Sequence, residues 1–178
     1  MSKRIYLSGA SGAGVTTLGR SLASVLQLPH VDVDDYYWYP TEPPYAQSRP
    51  PAERVILLKQ VLAQGAWVLC GSLDGWGDEL IDDADLVVFV DTPTALRLER
   101  VKAREAQRYG ARILPGGDMH AAHQAFLAWA AGYETAAFAG RSRPRHEAWL
   151  KQLKQPLLRV DGSLCVQALL QQVQSAQP

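Results

Sequence analysis

The segment Ser8-Gly9-Ala10-Ser11-Gly12-Ala13-Gly14-Val15-Thr16-Thr17 concentrates the residues best suited to chemistry. Set against the phosphate-binding pattern G-x-x-x-x-G-K-[ST], Gly9 and Gly14 fill the glycine positions and Thr16 the hydroxyl position, while Val15 stands where lysine is expected. Glycines let backbone N–H groups turn inward around a phosphate, and a helix starting behind them adds the positive end of its dipole. Thr16 can offer a hydroxyl to Mg²⁺, but Val15 brings no charge to the β- and γ-phosphates. Gly9, Ala10, Ser11, Gly12, Ala13, Gly14, Val15, Thr16 and Thr17 are therefore candidate nucleotide-binding residues. A dinucleotide turn is a rival reading, because Asp34 follows Gly14 by 20 residues. Against it, G-x-G-x-x-G begun at Gly12 needs glycine where Thr17 stands, and a variant begun at Gly9 needs it at Val15. A plain structural turn is the third reading.

Further candidates lie downstream. In His30-Val31-Asp32-Val33-Asp34-Asp35, Asp32 and Asp34 share a face if the strand persists, at the strand end where an α/β fold binds ligands. Asp32 then joins Thr16 as a metal candidate, and Asp34 is the candidate group for the acceptor hydroxyl. The alternative is that these acids only cap the next turn. Tyr36-Tyr37-Trp38-Tyr39-Pro40 and Pro43-Pro44-Tyr45 make an aromatic, proline-stiffened stretch. Tyr37 and Trp38 offer flat faces to a ring, and Arg49 and Arg54 offer cations to an acceptor anion; a small satellite core under the loop is the competing explanation. Gly71-Ser72-Leu73-Asp74-Gly75-Trp76-Gly77 lets the chain pass close under a ligand, with Gly71, Ser72, Asp74 and Trp76 as acceptor-side candidates, or is merely a tight turn. Arg97, Arg100, Arg104 and Arg108 recur at three- and four-residue steps and share one helical face. A solvated charged face is the usual explanation of such a run, but a phosphate site without its lysine needs other cations, and Arg100 and Arg104 are candidates. Arg141, Arg143 and Arg145 form a second cluster. His120 and His123 lack a fitting third metal ligand and read as ordinary polar helix residues.

The elements that must position these residues alternate between β-type and helical patterns, which predicts an α/β fold on a parallel sheet. Strands are expected at Ile5–Leu7, His30–Val33, Ala66–Cys70, Leu86–Asp91 and Pro156–Val160. Helices are expected at Thr16–Leu26, Ala52–Gln64, Pro93–Tyr109, Met119–Ala139, Arg145–Lys154 and Cys165–Val173, with loops at Tyr36–Pro51 and Arg112–Asp118. Five strands with right-handed crossovers make a three-layer α/β/α sandwich with a five-stranded parallel sheet. At 178 residues the chain suits one domain, residues 1–178, with an acceptor-side insert near 36–64 and a lid near 108–145.

With 18 basic and 18 acidic residues, the composition excludes the large basic excess of a dedicated nucleic-acid or anionic-membrane binder. The balance is segregated: residues 32–91 hold three basic and twelve acidic side chains, and residues 97–145 hold nine basic and four acidic. The longest strongly apolar run, Leu86–Val90, is far too short to span a membrane. Cys70 and Cys165 read as two unpaired core thiols of a reducing compartment, so a cytoplasmic protein is expected.

Together, the Gly9–Thr17 loop, Asp32-Val33-Asp34, Trp38, the Gly71 turn, Asp91-Thr92-Pro93 and the arginine helix behind it resemble the P-loop nucleoside-monophosphate-kinase-like group. Within it the chain looks nearest to adenylate-kinase-related bacterial ATPases and, more distantly, resembles shikimate kinases and topology-modulation proteins. The resemblance covers nearly the whole chain and implies a P-loop nucleoside triphosphate hydrolase fold with a lid. By likeness to adenylate kinases, Arg100 and Arg104 would hold the adenine and phosphates. By likeness to shikimate kinases, Asp32 would lie near magnesium and Asp34 on the acceptor hydroxyl. A lid arginine would reach the transferring phosphoryl group, with Arg108, Arg112, Arg141 and Arg143 as candidates. The expected activity is an ATP- and Mg²⁺-dependent phosphotransferase. Asp34, Arg104, Arg108 and Arg143 would be catalytic, and the acceptor would be a nucleotide or a small hydroxylated metabolite. Because Val15 replaces the lysine, the alternative is a nucleotide-binding regulatory protein with weak or no turnover.

Overall fold

Leu86–Asp91 is the most apolar run of the chain, and its first five residues are buried, as befits a strand covered on both faces. It belongs to a computed structural model that describes residues 3–135 and 140–176. In chain order the elements are β1 (Arg4–Gly9), α1 (Val15–Leu26), β2 (His30–Asp32), α2 (Val33–Tyr37), α3 (Pro51–Leu62), β3 (Trp67–Cys70) and β4 (Leu86–Asp91). These are followed by α4 (Thr94–Tyr109), α5 (His120–Ala131), α6 (Arg143–Leu150), β5 (Leu157–Asp161) and α7 (Val166–Ser175). The strands form one five-stranded parallel sheet in the order β2-β3-β1-β4-β5.

The described residues gather into two compact units. One takes the chain through Gly9, Gly14–Val90 and the chain from Lys154; the other takes Ala10–Ala13 and Asp91–Leu153. The first holds the sheet. Its register sets Leu7 and Asp32 each opposite Cys70, so the ends of β1, β2 and β3 open at the same edge. A parallel sheet whose order departs from sequence order binds ligands at this edge. Tyr6, Leu7, Leu18, Leu22, Leu58, Leu69, Val88, Phe89 and Val173 are among the residues that fill this unit's core. Burial of Leu18, Gly19, Leu22 and Ala23 gives α1 one covered face, at the spacing an amphipathic helix requires. In the second unit Val101, Ile113, Ala130, Tyr133, Trp149 and Leu150 are buried together with Arg97 and His146, and the Tyr133 ring lies against both of these polar side chains.

Most expected elements form within a residue or two of their expected ends; two helices differ more, and one helix forms where none was expected. The strand expected over His30–Val33 stops at Asp32 and helix α2 begins at Val33, inside a stretch expected to continue as strand and then loop. Asp32 causes the change: its carboxylate accepts the backbone N–H of Asp34 and caps the new helix. The helix expected over Met119–Ala139 ends at Ala131 and a 3-10 turn, Gly132–Glu134, follows. Positions 136–139 of that expectation lie outside the described residues. Here the Glu134 carboxylate binds Thr94, 40 residues earlier, and Arg143, partners that hold the chain in a turn despite its helix-favouring alanines. The helix expected at Arg145–Lys154 starts at Arg143, because Ser142 caps it, and ends early, at Leu150. Cys70 is buried as expected, but Cys165 is exposed at the cap of α7, so it is not a core thiol; neither is in a disulfide.

Candidate functional site

In the sheet-bearing unit the loop leaves β1 at Gly9 and re-enters at Gly14, which caps α1 with φ 101°. Leu18 N–H donates to the Gly14 carbonyl at 2.9 Å, closing the first helical turn. Thr16, in that turn, donates its hydroxyl to the Asp32 Oδ2 at 3.3 Å, while the Asp32 Oδ1 accepts Asp34 N–H at 3.1 Å. Asp32 therefore does two jobs at once, capping α2 and facing the loop threonine. Asp34 does not share a strand face with it; it is an exposed residue of the first turn of α2. Val15, the first residue of α1, has its carbonyl 3.8 Å from the Cys70 Sγ, and burial pushes that thiol well above its usual range.

The aromatic stretch packs on itself. Tyr37 lies against Trp38 with ring centroids 4.8 Å apart, Trp38 meets Tyr45 edge-on at 5.9 Å, and Tyr37 meets Trp76 edge-on at 5.9 Å. Arg54 is buried with its guanidinium carbon 3.6 Å from the Tyr37 ring centroid and 5.2 Å from that of Trp76, and its Nε donates to the Arg49 carbonyl. Arg49 donates to the carbonyls of Asp35, Tyr36 and Trp38 and pairs with Glu53 at 3.2 Å. Satellite packing thus explains much of what these two arginines do. In the turn after β3, buried Ser72 donates to the Asp74 Oδ1 at 2.6 Å, and Trp76 Nε1 donates back to the Ser72 carbonyl. Tyr6 Oη donates to the Gly71 carbonyl at 2.7 Å, fixing the start of that turn on β1.

The second unit holds the crown of the loop, Ala10–Ala13. Ala13 N–H donates to the Ala10 carbonyl at 3.0 Å, making a tight turn. Gly12 has φ 81°, and a Cβ there would lie 2.4 Å from the Arg97 carbonyl oxygen. The crown thus stacks directly on the first turns of α4. Ser11 accepts from Arg97 Nη1 at 3.1 Å; Ala13 accepts from Thr92 Oγ1 at 2.9 Å and from Arg100 Nη1 at 3.3 Å. Thr92 and Arg97 were not among the candidate site residues. Arg97 belongs to the same four-residue pattern as Arg100, but nothing local distinguishes the arginine that goes under the loop from those that stay on the surface.

The arginines of α4 differ accordingly. Arg97 is 1% exposed, so the shared face is not solvated at its first turn. Arg104 lies 3.9 Å from Glu105, and its buried Nε has no hydrogen-bond partner among the described residues; Arg108 is exposed. His123 bonds Glu105 at 2.6 Å and His120 the Ile113 carbonyl at 2.9 Å. Arg141 lies over the Trp129 ring. Arg143 is a fork between two acids: it donates to both oxygens of Asp91, at 2.7 and 3.0 Å, and to both of Glu134, at 2.6 and 3.2 Å.

That fork has a pH signature. Hydrogen bonds from Arg143, and then Thr94, hold the Glu134 carboxyl below its ordinary value of 4.5. The resulting stability is present above the unfolded value and is lost as pH falls through the lower folded value. Because these side chains are 29 to 44% exposed, solvent screens them, and Arg143→Met is expected to cost only about 1 kcal/mol at pH 7. Urea titrations of both proteins between pH 7 and pH 3 should show the difference shrinking on the acid side. A constant difference would mean that packing, not charge, is the contribution.

No family model matches the chain. The "Uncharacterized protein YqaC" of Bacillus subtilis is 40% identical over 167 residues, covering 93% of this chain and 92% of that one. The cytidylate kinase of Pyrococcus horikoshii is 31% identical over 112 residues, 57% of each chain. Among solved structures, the shikimate kinase of Bacteroides thetaiotaomicron superposes with a TM-score of 0.60 at 20% identity, covering 97% of both chains, a likeness that shows the fold. No helix among the described residues is long and apolar enough to cross a membrane. With its glycine loop capping α1 and its parallel sheet in the order β2-β3-β1-β4-β5, the chain has the P-loop nucleoside-monophosphate-kinase-like fold and belongs to the family of the Bacillus subtilis protein YqaC.

Proposed function

We propose that this protein is an ATP-dependent phosphotransferase acting on a nucleotide or a small hydroxylated metabolite. The observation that carries the reading is the loop itself: a glycine-shaped turn opening into the N-terminus of a twelve-residue helix, with the Thr16 hydroxyl and the Asp32 carboxylate side by side behind it. Those two groups form an all-oxygen donor set, the kind Mg²⁺ takes. Among the described residues no group of three or more His, Cys, Asp or Glu side chains is placed to hold a metal unaided. Phosphate oxygens and water would therefore complete the shell, as is usual for Mg²⁺ at a nucleotide. Bound there, the ion would neutralise charge on the phosphate oxygens.

The chain's residues then divide the work. Loop amides and the α1 dipole hold the phosphates. Arg100, which already reaches the Ala13 carbonyl in the loop crown, and Arg104, one helical turn on, supply cations to the phosphates. Asp34 accepts the proton of the acceptor hydroxyl as that oxygen bonds to the γ-phosphorus and the bond to the bridging oxygen breaks, releasing ADP. Tyr37, Trp38 and Trp76 offer ring faces on the acceptor side. Because Arg49 is committed to backbone carbonyls, this surface favours a ring-bearing hydroxylated acceptor.

Val15 favours a second reading, a nucleotide-binding regulatory protein without turnover. Isothermal titration with Mg-ATP, followed by ADP release over a panel of nucleoside monophosphates, sugars and other hydroxylated metabolites, separates the two. Under the first reading Mg-ATP binds, at least one acceptor raises ADP release, and Arg104→Ala weakens binding by about tenfold. Binding with no responsive acceptor supports the regulatory reading. An absence of Mg-ATP binding overturns both.

A further inference from the structure

We propose that Thr92 and Arg97 are positioning residues that aim the amides of the phosphate loop, replacing from behind an order that no lysine can impose from the front. The inference rests on the nucleotide reading above and adds how the loop is kept ready without a charge at Val15. A trans peptide points its C=O and its N–H in opposite directions. Whatever fixes the carbonyls of Ser11 and Ala13 therefore also fixes the N–H groups of Gly12 and of the residue after Ala13. Ser11 O is held by Arg97 Nη1 at 3.1 Å, and Ala13 O by Thr92 Oγ1 at 2.9 Å. Both donors lie on the α4 side of the crown, where the Arg97 carbonyl already closes on Gly12. The two amides are turned the other way, into an array of the kind that cradles anions.

Arg97 cannot swing away to reach a ligand. Its Nε donates to the Thr92 carbonyl at 3.2 Å, its Nη1 also to the Ala130 carbonyl at 3.4 Å, and its Nη2 to the Thr94 Oγ1 at 2.8 Å. The Tyr133 ring lies 4.8 Å from the guanidinium carbon. Thr94 in turn donates to Glu134, so an acid lies one hydroxyl away from the buried cation. A buried guanidinium is costly unless its donors are satisfied, and here they are satisfied largely by backbone carbonyls that shape the loop and its surroundings. Thr92 is 2% exposed and makes the same kind of bond with a single hydroxyl. Together they brace two of the crown's carbonyls, those of Ser11 and Ala13. Arg100, which also reaches Ala13 O, has its own proposed role toward nucleotide and is not needed for this argument.

Thr92→Val keeps the shape and removes the hydroxyl; Thr92→Ser keeps the hydroxyl. Mg-ATP and, separately, inorganic tripolyphosphate are titrated into wild type, Thr92→Val, Thr92→Ser and Arg97→Met, with amide NMR following Gly12 and calorimetry giving affinity. Thr92→Val is expected to weaken both ligands by about fivefold, with Thr92→Ser within about twofold of wild type. Arg97→Met is expected to weaken them by about tenfold, with the Gly12 amide shifted before any ligand is added. If Arg97→Met does not fold, the Thr92 pair decides. A Thr92→Val protein that melts lower but binds like wild type makes the brace structural only and overturns the inference, leaving the nucleotide reading intact. A wild type that binds neither ligand overturns the nucleotide reading itself.

Discussion

Asp34→Asn is expected to lower phosphoryl transfer by about 100-fold or more while leaving Mg-ATP affinity within about twofold. The asparagine keeps the size of the side chain and the backbone N–H that Asp32 Oδ1 accepts, so the cap of α2 survives. What it loses is the capacity to take a proton from an acceptor hydroxyl. Asp32 contrasts with it. Its two oxygens already serve Thr16 and the Asp34 amide, so Asp32→Asn should disturb metal-nucleotide affinity and local folding together. Steady-state turnover with any acceptor that raises ADP release, set beside calorimetric Mg-ATP affinity, checks the contrast. Unchanged turnover in Asp34→Asn would remove Asp34 from the chemistry. An equal loss of affinity and turnover would move its role from acceptor to nucleotide.

The two carboxylates also show how far the sequence could be read. In Asp32-Val33-Asp34 the alternation fits a strand, and the same letters fit a capped helix start; the choice falls to the helix because Asp32 finds the Asp34 amide two residues on. Local pattern holds both answers with equal merit. Strands β1 and β4 and helices α1 and α4 were legible because each carries its own period and its own stop signals, Gly9 and Gly110 among them. The glycine loop was legible because its backbone demands small residues at fixed steps. Arg97 was not legible as a buried residue. Periodicity puts it on the same face as Arg100, Arg104 and Arg108, and its burial depends on a loop 86 residues earlier resting on that first turn. The end of α5 is a similar case, set in part by Thr94 reaching Glu134 from 40 residues earlier. What escaped is what long-range partners decide.

Gly12→Ala is expected to abolish measurable Mg-ATP binding, a loss beyond about 100-fold, and to lower stability by about 3 kcal/mol. Two costs add at one atom. At φ 81° the added methyl group strains the backbone, and a Cβ there would stand 2.4 Å from the Arg97 carbonyl oxygen and 3.0 Å from a Val101 methyl. Neither neighbour can give way easily, since the first is helix backbone and Val101 is fully buried. The crown must lift, breaking the bonds from Arg97 to Ser11 and from Thr92 to Ala13 together. The loss of binding should therefore exceed that of Thr92→Val or Arg97→Met alone, because all the aimed amides move at once. A fall in melting temperature of roughly 10 °C corresponds to that destabilisation in a chain of this length. Gly110→Ala is the matched control, since it too replaces a glycine of positive φ, 53°, but nothing lies within 4 Å of the added carbon. It should lose stability through backbone strain alone and keep its nucleotide affinity. A Gly12→Ala protein that behaves like Gly110→Ala would mean that the crown does not rest on α4, and the bracing of the loop would fall with that contact.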